Sequence, residues 1–423
     1  MSAGELRDRS PAGSSPDAGA GASTRRIGLL LGPAFVAAVA YVDPGNFATN
    51  IQGGSALGYS LVWVVVAANL LAMLIQTLSA KLGLVTGRSL PELIRDRAPR
   101  RWVVTSWLCA ELVAMATDLA EVLGAALGLQ LLTGIGLLLA TLICGAATFI
   151  VLILQQRGMP LFEGLIAVLV GVIAVCYVIE TAMGKPSFAA AGRSFLPPEL
   201  RGANALIFGT GILGATVMPH VVYLHSALMC DRGDDDPVRT RHLLRLQVID
   251  VVSALGLAGV INVLMLMLAA ATFHAHGFAT TATIPQAYRT LTPVLGSAAS
   301  AIFGISLLAS GLSASAVGTL AGSLIMRGFL RRSIPVWVRR LVTMAPAVIV
   351  AGVGVDATHA MVVSQVVLSF GLPPALVPLV WLTGRSEVMG ELRNRRGLQI
   401  VAWTVVGLIS LLDLYLLEQA VVG

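Results

Sequence analysis

From residue 27 to residue 420 one pattern recurs eleven times, an apolar run closed by a short polar loop. Crossing the ~30 Å hydrocarbon core of a bilayer takes about 20 consecutive apolar residues in a helix, and most of these runs exceed that. In hydrocarbon every backbone polar group must be satisfied internally, so the spans are helices or a closed barrel. The residue-by-residue alternation of a barrel strand is absent, which leaves an all-α integral membrane protein. The runs fall at 27–57, 60–84, 102–132, 137–155, 162–183, 204–229, 246–273, 293–326, 336–354, 361–383 and 397–420. Of the 423 residues 56% are hydrophobic and 12% are charged, whereas about a quarter of the residues of a soluble domain are charged.

Residues 1–25 are small, polar and interrupted by Pro and Gly, a composition with too little apolar surface to offset the entropy of ordering. They are expected to form a disordered cytoplasmic tail ahead of a single transmembrane domain, 26–423. A cleavable signal is not expected, because the first apolar run is a full span. With the N-terminus inside, the loops on the cytoplasmic side hold Arg88, Arg95, Arg97, Arg100, Arg101, Arg157, Arg232, Arg239, Arg241, Arg245, Arg327, Arg331, Arg332, Arg339, Arg340, Arg385, Arg393, Arg395 and Arg396, and the tail adds Arg7, Arg9, Arg25 and Arg26. The opposite side has Lys185, Arg193, Arg201 and Arg289, although its loops are the longest. This bias is the positive-inside signature of a multi-pass cell-membrane protein with its C-terminus outside. It also accounts for the basic balance without invoking nucleic acid. Cys109, Cys144, Cys176 and Cys230 lack CxxC spacing and read as packing residues.

The first span contains Ala40-Tyr41-Val42-Asp43-Pro44-Gly45-Asn46 and the sixth Ala215-Thr216-Val217-Met218-Pro219-His220. Each has Ala, two residues, a potential ligand and then Pro. A displacement of five spans inverts topology, so the two copies run in opposite directions through the membrane. That is the pattern of a transporter built from two inverted five-helix repeats, here about 27–183 and 204–383 with an extra helix at 397–420. Proline removes a donor and clashes with the preceding turn, so helices 1 and 6 are expected to break. The breaks free carbonyl oxygens and expose helix ends that can coordinate a cation. A carboxylate at this depth costs ~2.5–3.5 kcal/mol on insertion scales, and so calls for a partner or a function.

Asp43 offers a hard anionic oxygen, Asn46 a neutral one, Ala40 and Ala215 backbone carbonyls, and Met218 a soft thioether. Ca²⁺ and Mg²⁺ prefer all-oxygen shells, whereas a thioether favours borderline and soft ions. The mixture points to Mn²⁺, Fe²⁺, Co²⁺ or Cd²⁺. In the third span Glu111, Asp118 and Glu121 fall on one helix side, a placement that marks a water-filled path or a relay rather than lipid contact. His220 follows the Met-Pro pair and is suited to passing a proton. His225 lies further along the same segment, where a structural role is equally expected. His274 and His276, an HxH pair in an outer loop, read as solvated rather than metal-capturing, and Asp413 in the last span matches no signature.

The DPGN of the first span and the MPH of the sixth resemble the paired signatures of the Nramp family of divalent metal transporters. ATDLAEVLG at 116–124, RRLVTM at 339–344 and SQVVLSFG at 364–371 extend the likeness over most of the chain. The pattern is similar to the bacterial manganese and iron importers of that family. It implies a leucine-transporter-like fold, alternating access and proton co-transport, with the metal as cargo and no cofactor or catalysis. Carried over by resemblance, Asp43, Asn46, Met218 and the Ala215 carbonyl match metal ligands, and the Ala40 carbonyl and Gln365 match ligands used in particular conformations. Asp43, His220, Glu121, Asp118, Arg339 and Arg340 match participants in proton movement, with Glu111 a further candidate. Met218 argues against the Mg²⁺-transporting relatives, which lack this sulfur. A monomer is expected. The competing readings are a cation-coupled amino-acid carrier on the same architecture, which would place Gly-rich breaks where this chain has Asp and Met, and a membrane metalloenzyme, which needs about three strong ligands.

Overall fold

The computed structural model describes residues 32–156, 159–196, 203–234, 236–278, 283–332 and 334–422. The expected tail, the start of the first span, Arg157 and Arg201 lie outside them. Each expected span is met by helix. The first consists of α1 (Pro33–Ala40) and α2 (Pro44–Leu57), followed by α3 (Val62–Thr86), a loop helix α4 (Leu90–Arg97), α5 (Arg100–Thr133), α6 (Leu137–Gln156) and α7 (Met159–Gly184). The second half holds α8 (Ala203–Thr216), α9 (Pro219–Leu228), α10 (Pro237–Thr272), α11 (Ile284–Leu295), α12 (Ser297–Leu330), α13 (Val336–Val353), α14 (Ala357–Phe370), α15 (Leu372–Gly384) and α16 (Arg396–Val422). Among the described residues nine helical stretches are long and apolar enough to cross a membrane, and Leu137–Ile153 is a shorter apolar one.

Several boundaries differ from the sequence reading, among them the start of the seventh span, where α10 begins at Pro237 and not at 246. The expected span 293–326 begins instead at Ser297, because Gly296, at φ +94°, ends α11 and lets the chain turn into α12. α11 itself falls in a stretch read as loop. It is amphipathic, burying Ile284, Ala287 and Leu291 and opening with a Thr283–Gln286 capping box, and it is too short for a membrane-length window to detect. The tenth span, expected as one helix over 361–383, is two, meeting at Gly371 just before Leu372-Pro373.

α12 lies along α5 over most of its length and forms the middle of the bundle. Their close approach uses small residues: a side-chain carbon on Gly311 would lie 2.6 Å from the Glu121 carbonyl. α6, α7 and α16 stand outside and present Leu139, Leu142, Ile150, Val168, Val178, Ile400 and Leu411 to the surroundings, the apolar face that acyl chains require. The core between the two halves is reserved for α1, α2, α8 and α9.

Candidate functional site

α1 stops at Ala40 and α2 starts at Pro44, so three residues cross the break. Pro is well placed as the first helical residue, where its missing N–H has no intrahelical partner to lose. Asp43 is the N-cap, extended at φ −89° and ψ 167°, and its Oδ1 accepts from Asn46 N at 2.8 Å. The motif DPGN is thus a helix stop and a helix start in four residues. The carbonyls freed by the break find donors from distant helices. Asn262 Nδ2 of α10 donates to Tyr41 O at 2.7 Å, and Ser310 Oγ of α12 donates to Val42 O at 2.6 Å.

The second break repeats the first. α8 ends at Thr216, Val217 and Met218 bridge, and Pro219 is the first residue of α9; Met218 is extended and fully buried. The Asn46 side chain joins the two breaks: its Nδ2 donates to Asp43 Oδ1 at 2.8 Å, to Tyr41 O at 3.2 Å and to Ala215 O at 3.3 Å. Asp43, Asn46 and the Ala215 carbonyl are therefore brought together as expected, while Ala40 closes α1 and the amide reaches Tyr41 O instead. Gln365 of α14 lies against the backbone of Gly45, where any side chain on Gly45 would collide with its amide. Among the described residues, three buried side-chain oxygens, Asp43 Oδ2, Asn46 Oδ1 and Gln365 Oε1, have no donor. Buried acceptors are almost always paired, and these can give their lone pairs to a cation. The C-terminal ends of α1 and α8 add the partial negative charge of their dipoles.

The acids of α5 continue from this point. Pro44 packs on Gly124 of α5, and Glu121, one turn back, feels the charges of Asp118, Asp43 and Arg340. Both Glu121 oxygens are buried without a donor. Gly318 of α12 makes room for them, since a Cβ there would lie 2.8 Å from Glu121 Oε2. Asp118 pairs with Arg340 Nη1 at 2.7 Å, deep in the protein, and Thr319 Oγ1, 3.2 Å from Nη1, and Ser315 Oγ also accept from Arg340. Arg339 holds Glu111 with two bonds, 3.1 and 2.7 Å. His220 Nδ1 is hydrogen-bonded to Thr117 Oγ1 at 3.3 Å, and its Nε2 has no partner. At 1.5 Å of rise per residue, the line from Glu121 to Glu111 runs about 15 Å down one helix.

His225 has both ring nitrogens engaged, with Gln76 Oε1 at 2.9 Å and Gln247 Nε2 at 3.1 Å, and Gln76 Nε2 in turn donates to the Tyr41 hydroxyl at 2.8 Å. His274 and His276 bond the carbonyls of Ser55 and Thr272, and no group of three His, Cys, Asp or Glu suited to a metal occurs among the described residues. Asp413 is buried on α16, and among the described residues its Oδ2 has no hydrogen-bond partner. The four cysteines are free thiols. Sequence reasoning missed Tyr41, Asn262 and Ser310. An asparagine in the apolar run of α10 is the signal that flags Asn262.

The Nramp family (natural resistance-associated macrophage protein-like) matches the chain over residues 34–419. The divalent metal cation transporter MntH of Deinococcus radiodurans is 52% identical over 400 residues, 94% of this chain and 92% of that protein. The protein of the same name from Yersinia enterocolitica is 50% identical over 94% of this chain and 97% of its own. Among solved structures, the Eremococcus coleocola manganese transporter superposes with a TM-score of 0.85 at 33% identity, covering 96% of this chain and 88% of the other. MhsT in complex with L-phenylalanine superposes with a TM-score of 0.57 at 14% identity, a likeness of fold alone. The leucine-transporter-like architecture expected from the sequence is the one found.

Proposed function

Because the chain belongs to the Nramp family, we propose that it is a proton-coupled importer of divalent transition-metal ions, Mn²⁺ and Fe²⁺ first and Co²⁺ or Cd²⁺ by the same chemistry, working by alternating access in the cell membrane. Relatives bearing the names divalent metal cation transporter and manganese transporter support this reading. The observation that carries it is the meeting of the two helix breaks through Asn46, with three buried side-chain oxygens lacking donors and the Met218 sulfur at the second break.

The ion is taken by Asp43, Asn46, Met218 and the Ala215 carbonyl, with Gln365 and the Ala40 carbonyl joining in particular conformations. Asn46 now points its NH₂ at three oxygens; a cation among them would repel that donor and favour the carbonyl of a turned amide. The cation's charge also disfavours a proton on Asp43 and its neighbours. His220 and Glu121 receive the displaced proton. Asp118 with Arg340, and Glu111 with Arg339, carry it toward the cytoplasm. An inward-negative potential favours entry by ~2.3 kcal/mol per charge per 100 mV, which makes uptake the working direction. On this reading the N-terminus and the arginine-rich loops face the cytoplasm, the C-terminus faces out, and one copy suffices.

Proteoliposomes holding the purified protein and a luminal pH dye test the proposal. Mn²⁺ entry with internal acidification supports it. Mn²⁺ entry without acidification removes the proton coupling, and amino-acid flux in its place removes the metal assignment.

A further inference from the structure

Away from the transport path, a pocket of about 450 Å³ lies where the end of α15 meets the start of α16, lined by Gly384, Gln399, Asn394 and the guanidinium-bearing Arg393, Arg395 and Arg396. Its one lining carboxylate, Glu391, is taken by Arg241 of α10 at 2.9 Å. Among the described residues none of the three lining arginines has a carboxylate partner. All three are exposed on the loop, where water screens their mutual repulsion and their donors stay open to an incoming anion.

The floor of the pocket is built rather than loose. Asn394 is 6% exposed. It accepts from Lys81 Nζ at 2.8 Å and donates to Thr383 Oγ1 and Gln399 Oε1, each at 3.0 Å. Gln399 Nε2 donates to Val380 O at 2.8 Å. The loop carrying the arginines is therefore fixed to α3, α15 and α16 by side-chain bonds. Directly beyond it α16 exposes Ile400, Val401 and Trp403, so the pocket stands where the polar loop gives way to the apolar face of the helix. Aromatic and basic residues together mark this boundary in membrane proteins.

We propose that this pocket binds the phosphate of an anionic phospholipid of the inner leaflet. The leaflet rests on the orientation argued above; the phosphate does not. Guanidinium groups pair bidentately with phosphate oxygens, and basic pockets on the cytoplasmic side between spanning helices take phospholipid headgroups. A soluble phosphate offers the same oxygens, but the exposed apolar residues that continue from the pocket favour a ligand with acyl chains.

The test titrates the full-length protein in detergent with phosphatidylglycerol and with phosphatidylcholine, reading bound lipid by native mass spectrometry. Wild type is compared with Arg393→Gln/Arg395→Gln/Arg396→Gln and with Arg101→Gln/Arg239→Gln/Arg332→Gln, which removes the same charge elsewhere. The pocket variant loses roughly tenfold or more in phosphatidylglycerol affinity, the equivalent of a single lost charge-assisted hydrogen bond, and the control variant keeps wild-type affinity. Equal loss in both variants, equal affinity for the two lipids, or full displacement by inorganic phosphate would overturn the lipid site. Mn²⁺ flux in phosphatidylcholine vesicles reads the transport proposal separately and stays at the wild-type level in the pocket variant. Labelling of Gly397→Cys by an impermeant maleimide from outside intact cells would overturn the inner-leaflet assignment.

Discussion

Asp118→Asn should destabilise the protein by about 3–5 kcal/mol, the cost of breaking a buried ion pair by removing one partner. The magnitude follows from the surroundings of Arg340. Its side chain is wholly buried, the Asp118 side chain is 4% exposed, and the two meet at 2.7 Å. With Asp118 neutral the guanidinium keeps the hydroxyls of Thr319 and Ser315, a neutral amide oxygen and the more distant Glu121, none of which replaces the carboxylate now in contact with it. Arg340→Met should cost a similar amount by stranding the carboxylate beside Glu121. The double variant buries no unbalanced charge at this position and should be less damaged than the sum of the two, with a coupling energy of about 2–3 kcal/mol. The Arg339–Glu111 pair, where Glu111 is 18% exposed, lies nearer water and should cost about 1–2 kcal/mol when broken. Reversible unfolding in mixed micelles by increasing denaturing detergent gives all these values. An Asp118→Asn protein within about 1 kcal/mol of wild type, or strict additivity in the cycle, would refute the view that Asp118 and Arg340 form a mutually dependent charge pair.

Gly45→Ala should lower Mn²⁺ uptake, because the new methyl displaces the Gln365 amide from its place; adding Gly45→Ala to Gln365→Ala should then cause no further loss of flux in vesicles, and an additive loss would refute this route. Met218→Ala should weaken discrimination against Ca²⁺ more than it weakens Mn²⁺ transport, and unchanged Ca²⁺ competition would remove the sulfur from the selectivity argument. Gly318→Ala places a methyl against the Glu121 carboxylate and should slow metal-driven acidification; wild-type acidification would show that Glu121 has room to spare.

The breaks were legible because proline and hydropathy are local signals: a Pro within a membrane-length apolar run says where a helix must stop, and the Ala-x-x-ligand-Pro spacing paired the two stops. The acids of α5 were legible by helical periodicity. What satisfies the broken turns was not, since Asn262 and Ser310 lie more than 200 residues from the carbonyls they serve and nothing local links them. The bend at Gly371 was hidden because Leu372-Pro373-Pro374 keeps the run apolar. α11 was hidden because its apolar face is only three residues long. The last-span Asp413, without a signature in the sequence, is buried on α16, which its surrounding apolar run gave no local means of telling.

Metal uptake by Asp43→Ala bears most directly on the central claim. Asp43 puts a carboxylate at the meeting of the breaks, and among the described residues its buried Oδ2 has no donor. In vesicles carrying equal amounts of folded wild-type and variant protein, the variant should show no Mn²⁺ entry above protein-free vesicles. Wild-type Mn²⁺ flux in the variant would contradict the account.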